Sequence, residues 1–343
     1  MKTRNLLTAL LCAGAFLISG IVGAQPGSKL RPDETVLLYN DSFEGNVDLV
    51  YGKKISYAGF EMKEANGLTG AEVIGKDGNI ANISDLARID LYFPKKPNGQ
   101  MVVVCPGGGN KIVSSYNEGL YAAEWMLERG ITVAVVKYRL PNCHWEIPLT
   151  DIQNAFRYCR SNAQQWNVNQ IGVMGFSAGG HLAACTTNMF VDDVTRPDFS
   201  IVIYPVITFE DGITHAGTKK LLLGEQSVWD NKELKASEWM ANVKKYEELV
   251  ECYSLENSIK ENTPPSFIAH CTDDKTVPIE NSIRYYRSLV ANKIPAEMHI
   301  YPTGGHGWGF SSEKYRGKGK DKFAYARDEY YRSLTRWLES LRK

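Results

Sequence analysis

The chain has 343 residues in which 39 Lys and Arg balance 39 Asp and Glu, with 43% hydrophobic and 11% aromatic residues. That composition supplies a packed core and excludes disorder as the main theme. Charge neutrality argues against a nucleic-acid-binding protein, which carries a basic surplus or stripe. The basic stretch from Lys314 to Lys322 contains glycines and reads as a solvated connection.

The N-terminus carries Lys2 and Arg4, an uncharged run from Leu6 to Val22, and a small-residue exit ending at Ala24. This order describes an export signal cleaved after Ala24, with a membrane anchor as the alternative. Cys12 sits inside the apolar run, too early for a lipoprotein cleavage point. The expectation is an exported, periplasmic or secreted protein with no stable membrane insertion once the signal is removed. Six cysteines follow residue 24, and none forms a C-x-x-C or a Cys/His cluster with zinc spacing. Cys105 and Cys271 end apolar runs and read as buried thiols. A single disulfide stays open; a disulfide framework does not.

Residues 25–85 are polar and irregular, with a strand-like piece at Val36 to Tyr39, and are taken as an N-terminal extension packed on the core formed by residues 86–343. Residues 87–93 alternate apolar with polar, as a half-exposed strand does. Met101 to Cys105 is continuously apolar and reads as a strand buried on both faces. A helix from Glu118 to Arg129 stops at Gly130, and Ile131 to Tyr138 returns to strand. Pro148 opens a helix that places Ile152, Phe156, Cys159 and Ala163 on one face. Strand Ile171 to Phe176, helix Ala178 to Asn188 and strand Phe199 to Tyr204 follow. A polar excursion at 208–263 reads as a helical, cap-like insertion. Strand Ser266 to Cys271, helix Val277 to Lys293, strand Glu297 to Tyr301 and a helix from Phe323 to Leu341 complete the pattern. Such alternation predicts an α/β fold with a mostly parallel central sheet and helices on both faces.

Gly175-Phe176-Ser177-Ala178-Gly179 fits G-x-S-x-G between an apolar strand and an Ala-rich helix. That strand-turn-helix context lifts a serine hydroxyl above the carboxyl edge of a sheet, as in the α/β-hydrolase fold. A serine hydroxyl is a weak nucleophile and needs a base oriented by a carboxylate. In this arrangement the partners follow in the order Ser, Asp, His. His306, in Gly304-Gly305-His306-Gly307 after a strand, is the candidate base; Asp274 is the candidate acid, with the adjacent Asp273 left open. His144, His181, His215, His270 and His299 lack such a context, and His181 reads as a support for the elbow helix. Pro106-Gly107-Gly108-Gly109-Asn110 follows the buried strand and suits an oxyanion loop, with Gly108, Gly109 and Ala178 as amide donors. The same segment does not fit a phosphate loop. Asn110 and Trp308, with the excursion, are expected at an aromatic and polar pocket rim that contacts substrate; the alternative for Trp308 is packing beneath His306.

Cys105-Pro106-Gly107-Gly108-Gly109, Lys137 to Pro141, Gly175 to Ala183, Thr263-Pro264-Pro265 and Asp274 to Pro278 together resemble one family. It comprises bacterial α/β-hydrolase esterases, including acetylxylan esterases and bifunctional feruloyl/acetyl-xylan esterases, and the similarity spans about residues 78–342. The resemblance implies ester hydrolysis on small-molecule or oligosaccharide esters, often acetyl groups of plant hemicellulose, with no metal or organic cofactor. Two departures fall where substrate is chosen: Asn110 stands where an aromatic residue often follows the glycines, and residues 224–250 look longer than usual. The rival readings are a peptidase of the same fold, a lipase-like esterase, and a non-catalytic binding protein on the same scaffold.

Overall fold

A computed structural model describes residues 87–342 and, before them, Ser28, residues 30–38 and the pieces 47–48, 53–54, 73–75, 79–81 and 83. The export signal expected at 1–24 and most of the extension at 25–85 lie outside the described residues.

Eight strands form the central sheet: β1 (Glu34–Leu37), β2 (Arg88–Tyr92), β3 (Gln100–Cys105), β4 (Thr132–Lys137), β5 (Gln170–Phe176), β6 (Ser200–Ile203), β7 (Ser266–Cys271) and β8 (Ala296–Tyr301). They lie in the order β1-β2-β4-β3-β5-β6-β7-β8. β1 and β2 pair antiparallel, β2 joins β4 antiparallel, and every later pairing is parallel. Parallel neighbours need long crossovers, and helices supply them on both faces.

The two faces divide by alternate residues. Met101, Val103 and Cys105 of β3 point to one core, which also holds Ile152 and Phe156 of α2 (Glu146–Asn162), Leu182 of α3 (Ser177–Asn188) and Leu289 of α7 (Glu280–Ala291). Val102 and Val104 point to the other, with Met126 of α1 (Tyr121–Leu127) and Leu334 and Trp337 of α9 (Ala324–Ser340). Every residue of β3 is buried, and full burial of each branched side chain contributes roughly 1.5–3 kcal/mol.

Several boundaries differ from the sequence expectations for identifiable reasons. β2 is not half-exposed: only Arg88 is partly open, because Asp90 is neutralised by Lys137 and accepts from Thr35 Oγ1 at 2.8 Å. The helix expected from Glu118 is a wide π-type turn over Tyr116–Leu120 followed by α1, and this turn carries Glu118 inward. α2 starts at Glu146, with Pro148 still in the first turn, where its missing N–H costs nothing. α7 starts three residues later than expected, since Thr276 and Val277 donate their amides to Asp274 instead of entering a helix.

The excursion contains α4 (Ala216–Leu223), α5 (Gln226–Trp229) and α6 (Ala236–Cys252), then a 3₁₀ turn at Leu255–Asn257. α8 (Glu313–Arg316) lies in the basic stretch, where Lys314 pairs with Glu124. The six described cysteines are unbridged; burial raises the Cys105 thiol and pushes Cys159 up to about 12, so neither is a thiolate at neutral pH. No described helix is long and apolar enough to cross a membrane.

Candidate active site

The carboxyl ends of β3, β5, β6, β7 and β8 converge, and each delivers a loop to one place. β5 ends at Phe176 in an extended conformation, and Ser177 follows with φ of 55°. A serine rarely accepts this left-handed backbone; it is held here because α3 must turn back immediately against the sheet. The turn is tight enough that a Cβ on Gly179 would stand 2.2 Å from the Cys105 carbonyl oxygen, so only glycine fits.

Ser177 Oγ donates to His306 Nε2 at 2.8 Å, and His306 Nδ1 donates to Asp274 Oδ2 at 2.6 Å. Asp274 Oδ1 accepts from the amides of Thr276 and Val277 at 2.8 and 2.9 Å. Burial opposes the Asp274 charge, but hydrogen bonds from His270 and His306, the His306 charge and the Val277 amide outweigh it; the carboxyl is held well below its ordinary value. Asp273 faces elsewhere: its Oδ1 accepts the Gly305 amide at 2.7 Å and shapes the loop that presents His306. Of the two acids that pattern could not separate, Asp274 is the one on the imidazole.

The loop after β3 crosses in front of Ser177. Gly108 has φ of 128° and a Cβ there would fall 2.1 Å from the Ile112 carbonyl oxygen, so this turn also requires glycine. The amides of Gly108, Gly109 and Ala178 find no acceptor among the described residues. Behind the loop, Tyr138 Oη donates to the Pro106 carbonyl at 2.7 Å.

Sequence reasoning missed four residues that build this site. Glu118 is buried beneath the loop, accepting the Gly107 amide at 2.8 Å and the Tyr204 hydroxyl at 2.9 Å; burial raises its pKa against the opposing pull of His306 and those donors. Tyr204, at φ of 38° beyond β6, packs its ring 4.7 Å from that of His306. His270, fully buried in β7, receives the Ser282 hydroxyl on Nδ1 at 2.8 Å and shares its Nε2–H between Val277 O at 3.0 Å and Asp274 Oδ2 at 3.2 Å. His215 caps α4 beside Gly109. His270 lies inside the apolar run of β7 and His215 in the polar excursion, so neither has the glycine-lined loop that marks His306, and nothing local marks Glu118 or Tyr204.

One expected rim residue, Trp308, is corrected, and Asn110 takes a part in fastening the loop. Trp308 is 1% exposed. Its indole stacks on Phe323 at 4.0 Å and meets Tyr204 and Tyr330 edge-on, because Arg327 holds the carbonyls of Gly309, Trp308 and Ser311 and draws that segment inward. It packs against Tyr204, which in turn packs on His306, and does not line a rim. Asn110 is also buried, and its side-chain amide donates to the Thr218 carbonyl at 3.2 Å, fastening the loop to α4. His181 does support the elbow helix: it donates to Tyr253 O at 2.9 Å, stacks on Phe209, and burial lowers its pKa to about 4. No cluster of side chains suited to a metal ion occurs among the described residues.

This sheet order, with a serine on a strand-to-helix elbow facing a histidine-carboxylate pair, defines an α/β hydrolase. The chain belongs to the BD-FAE family, whose model matches residues 89–289. It is 35% identical over 266 residues to an acetylxylan esterase of Xylanibacter ruminicola, covering 76% of this chain and 50% of that protein. It is 32% identical to endo-1,4-beta-xylanase B of Butyrivibrio fibrisolvens, over 62% of this chain and 33% of that one. The chain thus spans half or less of the length of these two curated relatives. The crystal structure of an acetyl ester-xyloside bifunctional hydrolase from Caldicellulosiruptor lactoaceticus superposes with a TM-score of 0.60 at 31% identity, covering 75% of this chain and 88% of that one. A carboxylesterase from Lactobacillus plantarum, at 20% identity and a TM-score of 0.58 over 74% of this chain and 92% of that one, shares the fold.

Proposed function

We propose that the protein is a serine carboxylesterase that removes acetyl, and by extension feruloyl, groups from hemicellulose-type carbohydrates. The observation that carries the reading is the unbroken hydrogen-bonded path Ser177–His306–Asp274 beside three unpaired amides. Ser177 Oγ attacks the ester carbonyl while His306 Nε2 takes its proton, and the amides of Gly108, Gly109 and Ala178 receive the negative charge that develops on oxygen. His306 then passes the proton to the departing sugar oxygen, leaving an acyl-Ser177. A water deprotonated by His306 attacks this ester, Ser177 recovers its proton, and the acid leaves. Asp274 holds Nδ1–H throughout and favours the imidazolium formed at each step.

The acetylated-carbohydrate assignment is supported by the acetylxylan esterase and acetyl ester-xyloside hydrolase relatives. Export belongs to the same proposal, because a polymeric hemicellulose is met outside the cytoplasm and the first 24 residues have the order of a cleaved signal. Acid release should be measured on acetylated xylan, acetylated mannan, methyl ferulate, a longer-chain ester and 4-nitrophenyl acetate. Acetate from the xylan is the expected result. Folded protein that leaves even the activated acetate intact would remove the esterase reading; amide cleavage in its place would favour a peptidase.

A further inference from the structure

His215 stands at the start of the insertion, where α4 docks on the oxyanion loop. Its backbone is extended, with φ of −77° and ψ of 101°, and its ring replaces the usual capping hydroxyl or amide. The Thr218 amide donates to His215 Nδ1 at 3.2 Å, and the Thr218 hydroxyl lies 2.8 Å from the same nitrogen. A backbone N–H can only donate, so Nδ1 is unprotonated and the neutral ring carries its proton on Nε2. That Nε2–H has no partner among the described residues.

The ring lies beside the oxyanion loop. A methyl group on Gly109 would stand 3.7 Å from His215 Cε1, the carbon bonded to Nε2. Asn110, next in the loop, binds the Thr218 carbonyl, so the cap and the oxyanion loop are fastened to each other. Burial and the neighbouring His306 lower the His215 pKa, while Asp274 opposes them, which favours the same neutral ring that the Thr218 amide requires. A second histidine in this cleft has no use as a base, because Nδ1 is occupied and Nε2 already holds the proton. It can donate one directed hydrogen bond.

We propose that His215 is a substrate-binding residue whose Nε2–H donates to a hydroxyl oxygen of the carbohydrate beside the esterified carbon, orienting the alcohol half of the ester. This rests on the carbohydrate-ester reading above. Three main-chain amides already serve the acyl oxygen, whereas a vicinal hydroxyl group offers the lone pair that a neutral imidazole N–H seeks. Such a contact selects polyhydroxylated leaving groups over aryl or alkyl ones, and it makes the start of the insertion part of the specificity apparatus.

The test compares wild type, His215→Asn and His215→Ala on acetylated xylo-oligosaccharides and on 4-nitrophenyl acetate, with Tm measured for each. An asparagine oxygen still accepts the Thr218 amide and keeps the cap, but the side chain is too short to reach substrate. In His215→Asn, Tm should stay near wild type while the loss of kcat/KM on the oligosaccharide exceeds that on the aryl ester about tenfold, mostly through KM. Recovery of full oligosaccharide activity by His215→Asn, with loss in His215→Ala, would show a cap only and overturn the proposal. Equal losses on both substrates would overturn it as well, by placing the ring on the acyl half. Wild type that cleaves the aryl acetate and no acetylated oligosaccharide would overturn the carbohydrate reading, and this inference with it.

Discussion

Asp273 and Asp274 are neighbours in sequence, yet their carboxylates hold opposite parts of one loop: Asp273 Oδ1 accepts the Gly305 amide at 2.7 Å and Asp274 Oδ2 accepts His306 Nδ1–H at 2.6 Å. The first shapes the backbone that carries the imidazole; the second fixes the imidazole itself. Their amide variants should therefore separate. Asp274→Asn offers His306 a group that no longer stabilises imidazolium and favours the wrong tautomer, so kcat should fall about 10⁴-fold. Asp273→Asn keeps an oxygen for the Gly305 amide and should cost less than about tenfold. Steady-state kinetics on 4-nitrophenyl acetate decides, and similar losses in the two variants would contradict the division of labour.

Replacement of Ser177 separates chemistry from backbone strain. Ser177→Ala removes the nucleophile and should cost about 10⁴-fold or more in kcat, while the alanine inherits φ of 55° and relieves none of its strain. Stability should stay within about 1 kcal/mol. Ser177→Gly loses the same activity, but glycine occupies that conformation freely, so it should gain up to about 1 kcal/mol over the alanine variant in urea titration. A glycine variant less stable than alanine would show that the positive φ carries no strain here.

The strands of the central sheet, though not their spatial order, follow from the sequence, because buried parallel strands such as Met101–Cys105 are short apolar runs bounded by glycine or proline. Ser177 and His306 were legible for the same reason: both sit in loops immediately after such runs, and their neighbouring glycines mark sharp turns. What stayed hidden depends on contacts between distant segments. Asp273 and Asp274 both lie at the end of β7, and only the direction of Gly304 to His306 tells them apart. Trp308 points inward because Arg327, on the last helix, gathers the carbonyls that follow it. His215 becomes visible only once α4 is docked through Asn110.

His181 makes stability depend on pH below neutrality. Burial lowers its folded pKa to about 4, beneath an unfolded value near 6.5, so between these values the unfolded chain binds the extra proton. Stability is full above about pH 7 and is lost as pH falls from about 6.5 toward 4, by roughly 3 kcal/mol at most. Asp274, also lowered, adds a loss that starts near its unfolded value of about 4 and continues below it, so the two contributions fall in different windows. Urea midpoints of wild type and His181→Gln at pH 7.5, 6.0 and 5.0 check this: the gap between the proteins should narrow as pH falls. A constant gap would mean that His181 is not buried in its neutral form.

Trp308→Ala tests whether packing against Tyr204 and its neighbours is the whole role of that indole. The side chain is enclosed by Phe323, Tyr204, Tyr330 and Tyr301, so truncation leaves a large cavity and should cost about 3–5 kcal/mol. Tyr204 touches both Trp308 and His306, which carries the disturbance to the imidazole rather than to any sugar. Activity should then fall by the same factor on acetylated xylo-oligosaccharides and on 4-nitrophenyl acetate, with a matching drop in Tm. Trp308→Phe retains an aromatic face against Phe323 and should recover much of both. A selective loss on the oligosaccharide at unchanged Tm would return Trp308 to the substrate-binding surface.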